Sequence, residues 1–179
     1  MRWGPLLLIA ALLALEGGLK AWAAANLTPG VDRPLVPGLL HLGFTLNPGM
    51  AWGLLGGLTS PLALLRLLVG LGIVAGLFSG RLPAGRVWPL ALIAAGALGN
   101  AVDGLARGAV VDYLTAPVLD VVARPLTGQP FPIFNLSDVL VCGGVAWLLW
   151  RSWQEERRPR HPGPVARGWR GKSQSEENR

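Results

Sequence analysis

The sequence predicts an all-α membrane protein with four transmembrane helices. Three observations carry that expectation. Of the 179 residues, 51% are hydrophobic and only 15% are charged, against roughly 25% charged in an ordinary soluble domain. Four segments approach the roughly 20 apolar residues that cross a bilayer. The basic residues cluster at one set of segment ends, as the positive-inside rule requires.

The first segment runs from about Gly4 to Ala25. Arg2, an apolar run and Ala23-Ala24-Ala25 imitate a cleavable signal peptide. The segment is long, however, and carries Glu16 and Lys20 in its second half, which a signal-peptide core rarely tolerates. A retained helix is therefore expected. The second segment spans about Pro61 to Ser79, the third Val87 to Leu105, and the fourth Leu136 to Trp150. An even number of spans puts Arg2, the Arg81/Arg86 loop and the run Arg151, Arg157, Arg158 and Arg160 on one side, which is then cytoplasmic. Both termini are cytoplasmic in this frame, and the loops at about 26–60 and 106–135 face outward. Trp3, Trp88, Trp150 and Trp153 fall near the inner boundary, and Trp22 and Trp52 near the outer one, as aromatic belts do.

The outward loops carry the remaining elements. Leu39 to Leu46 reads as a strand ending at Asn47. Leu114 to Val122, bounded by Pro117 and Pro125, reads as a short helix lying on the membrane surface. Residues 1–153 are expected as one membrane domain and 154–179 as a disordered, basic cytoplasmic tail. Residues 1–150 hold eight Lys/Arg and six Asp/Glu, while 151–179 hold eight and four. The basicity therefore sits mostly in the tail, which suits anionic lipid and argues against a nucleic-acid groove.

Several chemistries lack their residues. The two histidines are His41, in a loop, and His161, in the tail, and no G-x-S-x-G elbow is present. The one cysteine, Cys142, lies in an apolar helix without a nearby histidine. Core packing is its expected role, which argues against a thiol protease, and a single cysteine excludes an internal disulfide or a multi-cysteine metal site. No H-E-x-x-H and no glycine-rich phosphate loop appears.

Polar residues instead gather at one depth. Ionisable groups inside spans are costly and mark functional sites by default. Glu16 and Lys20, four apart, can pair near the outer end of the first helix. Asn100 and Asp103 share a face of the third helix, with Arg107 four residues on and Asp112 just outside. Asn135, Ser137 and Asp138 stand at the outer entrance of the fourth helix, and Asn47 lies in the first outward loop. A cap at Asn135 or Ser137, an Asp103–Arg107 pair and a Glu16–Lys20 pair would explain some of these residues. They leave Asn47, Asn100 and Asp112 unexplained.

Carboxylates remain as the reactive groups. Two aspartates sharing a proton can activate water for attack on a peptide bond, one ionised and one protonated. They would titrate as a unit. The outer-side candidates are Asp103, Asp112, Asp120 and Asp138.

These residues resemble a known pattern. Asn47-Pro48-Gly49-Met50-Ala51-Trp52-Gly53 is similar to the N-x-G-x-A-F/W-G segment of the lipoprotein signal peptidases (signal peptidase II). Gly99-Asn100-Ala101-Val102-Asp103 with Gly108-Ala109-Val110-Val111-Asp112-Tyr113 resembles that family's G-N-x-x-D…G-x-V-x-D-F/Y block. Phe134-Asn135-Leu136-Ser137-Asp138 resembles its F-N-x-A/S-D block. Glu16 and Lys20 stand where the family's first helix carries an acid, usually Asp, and a lysine. The likeness covers about residues 5–150.

The resemblance implies that Asp112 and Asp138 are the catalytic pair, supported by Asn47, Asn100, Asp103, Asn135, Glu16 and Lys20. It implies four transmembrane helices, a small extracytoplasmic β-element and a surface helix acting as a lid. It implies an aspartic endopeptidase of the bacterial inner membrane, without metal or organic cofactor. The substrates would be diacylglyceryl-modified prolipoproteins, cut just before the lipid-modified cysteine. Membrane lipids are the other expected partner, and the chain is expected to act as a monomer. Gly104 stands where the family usually has Arg, and Arg107, one turn on, is the available substitute. The Asp112–Asp138 stretch is longer than is common. The rival reading is a small transporter or channel component using the outer-side aspartates, and a third is a structural partner of another membrane enzyme.

Overall fold

In the computed structural model, residues 3–49, 54 and 57–157 are described. The chain order there is helix α1 (Trp3–Asn26), strands β1 (Arg33–Val36) and β2 (Leu40–Asn47), helices α2 (Thr59–Ser79) and α3 (Val87–Arg107), strand β3 (Val110–Thr115), and helices α4 (Asp120–Thr127) and α5 (Leu136–Glu156). Among the described residues, three spans are long and apolar enough to cross a membrane: Trp3–Asn26, Thr59–Ser79 and Ala84–Arg107. Helix α5 has the 21-residue length of α2, but carries Asp138 at its start and Arg151, Glu155 and Glu156 at its end.

Helix α3 is the centre of the bundle, and its composition explains why. Ala91, Ala94, Ala95, Ala97 and Ala101 are buried along it. Such small residues let helix backbones approach closely where lipid supplies no hydrophobic drive. A Cβ built on Gly104 would stand 2.7 Å from the Ala63 Cβ of α2. One on Gly144 would stand 2.7 Å from the Pro89 carbonyl of α3. The side facing away from α3 is apolar and exposed, with Leu7, Leu15, Leu64, Leu68 and Leu149 at 50% or more. That inside-out pattern suits a hydrocarbon solvent, in which helices also satisfy their own backbone polar groups.

The bundle has a distinct loop end. Arg86, just before α3, pairs with Glu155 at the end of α5 at 3.1 Å. Gly4 of α1 lies against Trp88. The α2–α3 connection, the start of α1 and the end of α5 therefore share one end of the bundle. Trp3, Trp88, Trp150 and Trp153 stand there, all exposed. Trp52 and the tail from residue 158 lie outside the described residues, as does Arg2.

A three-stranded antiparallel sheet of order β1-β2-β3 sits at the opposite end. The strand expected at Leu39–Leu46 is β2. Its register pairs Thr45 with Asp112, Leu46 with Val111 and Asn47 with Val110. Gly108 reverses the chain between α3 and β3. Its φ of 68° is left-handed, which glycine adopts without steric cost.

The expected surface helix over Leu114–Val122 needs correction. Leu114 and Thr115 belong to β3, Pro117–Leu119 is a 3₁₀ turn, and the helix runs from Asp120 to Thr127. The free edge of β2 recruits the segment Val110–Thr115, in which Val110, Val111, Tyr113 and Thr115 favour a strand, and it ends before Pro117, where the imino ring has no N–H for a ladder. The helix begins where Asp120 accepts from Arg124 at 3.0 Å and from the Phe131 backbone N at 2.8 Å. Pro125 lies inside it rather than after it.

Candidate active site

Four elements deliver one polar cluster. Asp112 comes from β3 and is 2% exposed, held in register against the end of β2. Asn47, the last residue of β2, donates from Nδ2 to Asp112 Oδ2 at 3.0 Å. Its own Oδ1 accepts from the Gly49 backbone N at 3.0 Å, which fixes the amide's orientation. Asp138 lies in the first turn of α5. There Asn135 is the N-cap: its Oδ1 accepts from Asp138 N at 2.9 Å, and its backbone N donates to Asp138 Oδ2 at 3.2 Å. This reciprocal capping box satisfies helix-end donors and fixes the Asp138 carboxylate. The expected cap and the expected carboxylate site are thus the same residues.

Asn135 and Asn100 tie the two aspartates together. Asn135 Nδ2 donates to Asp112 Oδ1 at 2.6 Å. Asn100, on α3, donates from Nδ2 to Asp138 Oδ1 at 2.8 Å. Its Oδ1 accepts from Asn135 Nδ2 at 3.0 Å and from Lys20 Nζ at 2.8 Å. Each amide therefore turns its N–H₂ toward a carboxylate and its oxygen toward donors. Both aspartates line one cavity of about 320 Å³, together with Asn47, Asn100 and Arg66.

Burial pushes the Asp112 carboxyl up to about 7, the neighbouring Asp138 charge acts the same way, and the hydrogen bonds from Asn47 and Asn135 oppose the rise. A carboxyl poised near neutrality can hold or release a proton at working pH.

A buried charged layer supports this pair. Lys20 bridges Asp103 at 3.0 Å and Glu16 at 3.4 Å. Asp103 Oδ2 also accepts from the Val111 backbone N at 3.1 Å, tying α3 to the strand that carries Asp112. Glu16 accepts from the Tyr113 hydroxyl at 2.7 Å and from the Ser137 backbone N at 3.1 Å. The i,i+4 pair Glu16–Lys20 is thus one edge of a larger network. Arg107 reaches Asp103 Oδ1 at 3.3 Å from a half-exposed position.

The structure brings Asn47, Asn100, Asp103, Asp112, Asn135, Asp138, Glu16 and Lys20 into this network. Asp120 lies apart, paired with Arg124 on α4. Cys142 differs from the core position expected of it: it is exposed and lines the cavity one turn beyond Asp138. The roles of two residues escaped sequence reading. Tyr113, which closes the G-x-V-x-D-F/Y block but was given no role there, links Glu16 to the Leu136 backbone N. Arg66 lines the cavity from α2, and was marked by being a charge within an apolar run. No cluster of three or more metal-ligating side chains occurs among the described residues.

Comparison with known proteins adds an independent line. Residues 8–154 match the family described as Signal peptidase (SPase) II. The chain is 44% identical over 167 residues to the lipoprotein signal peptidase of Deinococcus radiodurans, covering 92% of this chain and 86% of that one. It is 36% identical over 154 residues to the lipoprotein signal peptidase of a Synechococcus species, covering 83% and 93%. Among solved structures, a bacterial membrane enzyme at 2.3 Å resolution superposes with a TM-score of 0.74 at 22% identity, covering 88% of this chain and 92% of that chain. That likeness concerns the fold.

Proposed function

Because the chain belongs to the signal peptidase II family, we propose that it uses Asp112 and Asp138 as the dyad of an aspartic endopeptidase. The protein removes signal peptides from prolipoproteins in a bacterial membrane. The observation that carries the dyad is the pair of aspartates lining one cavity, bridged by Asn135 and Asn100.

The geometry supports a single-proton mechanism. The shared proton is assigned to Asp112, whose carboxyl burial pushes up to about 7. Asp138, whose carboxylate accepts from Asn100 and from the Asn135 backbone, acts as the base. A water between them gives its proton to Asp138 and attacks the scissile carbonyl carbon. Asp112 meanwhile donates to the carbonyl oxygen. The resulting gem-diol collapses as its C–N bond breaks, the new amine takes the proton from Asp138, and a hydroxyl proton returns to Asp112. Atoms and charge balance without a metal, and the pair titrates as a unit.

Helix α5 is read as a fourth span alongside α1, α2 and α3. Its apolar middle, with Val145, Leu149 and Trp150 exposed, supports this. The shared end bearing Arg86 and Arg151 is cytoplasmic by the positive-inside rule, in the inner membrane. The sheet and the dyad then face outward, and one chain supplies a complete site. The substrate is a diacylglyceryl-modified precursor cut just before its lipidated cysteine. A site at the bilayer edge lets the lipid stay in the membrane while the bond reaches water. The transporter reading lacks support: the buried polar network is confined to one end of the bundle.

The test is cleavage by the purified full chain in detergent. One precursor carries the diacylglyceryl cysteine, and a second has serine at that position. Mass spectrometry is expected to find a cut before the modified cysteine and none in the serine precursor. Equal cleavage of both would contradict the substrate assignment.

A further inference from the structure

We propose that Arg66 is a substrate-binding residue whose guanidinium takes a carbonyl oxygen of the bound precursor; this rests on the peptidase reading above. Arg66 stands within Leu64-Leu65-Arg66-Leu67-Leu68-Val69 of α2, a helix long and apolar enough to cross a membrane. A charge in such a helix is costly and needs a partner or a function. Although the Asp138 carboxylate in the same cavity feels its charge, no carboxylate lies within ion-pair distance of it among the described residues. The ion pairs there join Lys20, Arg86, Arg107 and Arg124 to their acids. Its Nη1 is buried without a hydrogen-bond partner. Among the described residues its Nη2 reaches only the Gly49 carbonyl, at 3.5 Å, a length at which little hydrogen-bond strength remains.

The position explains what such a donor would serve. Arg66 lines the dyad cavity and also a second cavity of about 340 Å³, walled by apolar side chains including Leu65, Val69, Ile93 and Val141. The two cavities share Arg66, Asn100, Asp138 and Cys142. The guanidinium therefore stands where a polar reaction space meets an apolar one. A ligand crossing that junction must place an acceptor there, or the buried donor stays unmet. The precursor offers that acceptor in two forms: a backbone carbonyl of the signal segment, or the ester carbonyl of the diacylglyceryl group.

Arg66→Gln, Arg66→Leu and Arg66→Lys are compared with wild type in the full chain, on ester-linked and ether-linked precursors. Wild-type cleavage of the ester substrate tests the peptidase reading itself, and its absence would overturn both readings. With wild-type cleavage present, Arg66→Gln and Arg66→Leu are expected to lower kcat/KM by about 10- to 100-fold, mainly through KM, with Arg66→Lys partly restored. The Tm of Arg66→Leu is expected to equal or exceed wild type, because an unpaired charge leaves an apolar helix. If the ester carbonyl is the acceptor, wild type loses affinity for the ether substrate and Arg66→Gln adds no further loss. If a peptide carbonyl is the acceptor, the variant loses equally on both substrates. Wild-type KM in Arg66→Gln, or a Tm that falls in step with activity, would overturn the inference.

Discussion

Asp112 illustrates how a residue's role follows from its surroundings. Its burial raises the carboxyl to about 7, while the Asn47 hydrogen bond holds it from rising further. Asn47→Ala removes a donor that favours the charged form, so the carboxyl rises again. With the dyad's proton held on Asp112, kcat/KM is expected to fall as pH rises through about 7, and that limb should move to higher pH in Asn47→Ala. A pH–rate profile of both proteins measures it. Stability follows the same sign. A raised carboxyl stabilises the fold fully below its unfolded value near 4, and that contribution is lost as pH rises through about 7. The Tm of Asp112→Asn relative to wild type should therefore improve from pH 5 to pH 8. Lys20 is the opposite case. Its ammonium stands between Glu16 and Asp103, all of them buried. Lys20→Met leaves buried Glu16 without a cation and Asp103 with only the half-exposed Arg107, a loss on the order of 3–5 kcal/mol, read as a lowered Tm. The Glu16–Lys20 and Asp103–Arg107 spacings were legible in the sequence because i,i+4 places side chains on one face. Tyr113 and Arg66 were not, because their roles depend on contacts between distant elements.

At the scale of elements, the site depends on how closely α3 packs against its neighbours. A Cβ on Gly96 would collide with the Ser137 carbonyl of α5, next to Asp138. Gly96→Ala must therefore push the start of α5 away from Asn100 and lengthen the Asn100–Asp138 bond. Overpacking of this kind costs about 1–3 kcal/mol. The expected result is lowered kcat with KM changed less, measured by steady-state cleavage. The long helices were legible because bilayer thickness dictates an apolar length that few other structures need. Strand β3 was not legible: Val110–Thr115 is too short to show a period, and it becomes a strand only by pairing with β2. The boundary of α4 shifted for the same reason, since β3 claims Leu114 and Thr115, which the apolar run had assigned to the helix.

At the scale of the molecule, an exposed apolar belt, a sheet at one end and a basic end opposite describe a protein oriented in a bilayer. In a Cys142→Ala background, a cysteine at Leu35 on the exposed β1 edge should react with a membrane-impermeant maleimide in intact cells. A cysteine at Arg81, in the opposite connection, should react only after lysis. Labelling in the reverse order would contradict the orientation. The three motif blocks were readable from the sequence through their resemblance to the family's pattern, in the same order along the chain. Their convergence on one cavity required the fold. If Asp112 and Asp138 act together on the precursor, neutralising either one must stop the cut. Purified wild type, Asp112→Asn and Asp138→Asn are given the same diacylglyceryl-modified prolipoprotein, with folding checked by thermal melting. Wild type is expected to cleave it, and each folded variant to lose about 10³-fold or more in rate. Wild-type rates in either folded variant would contradict the dyad.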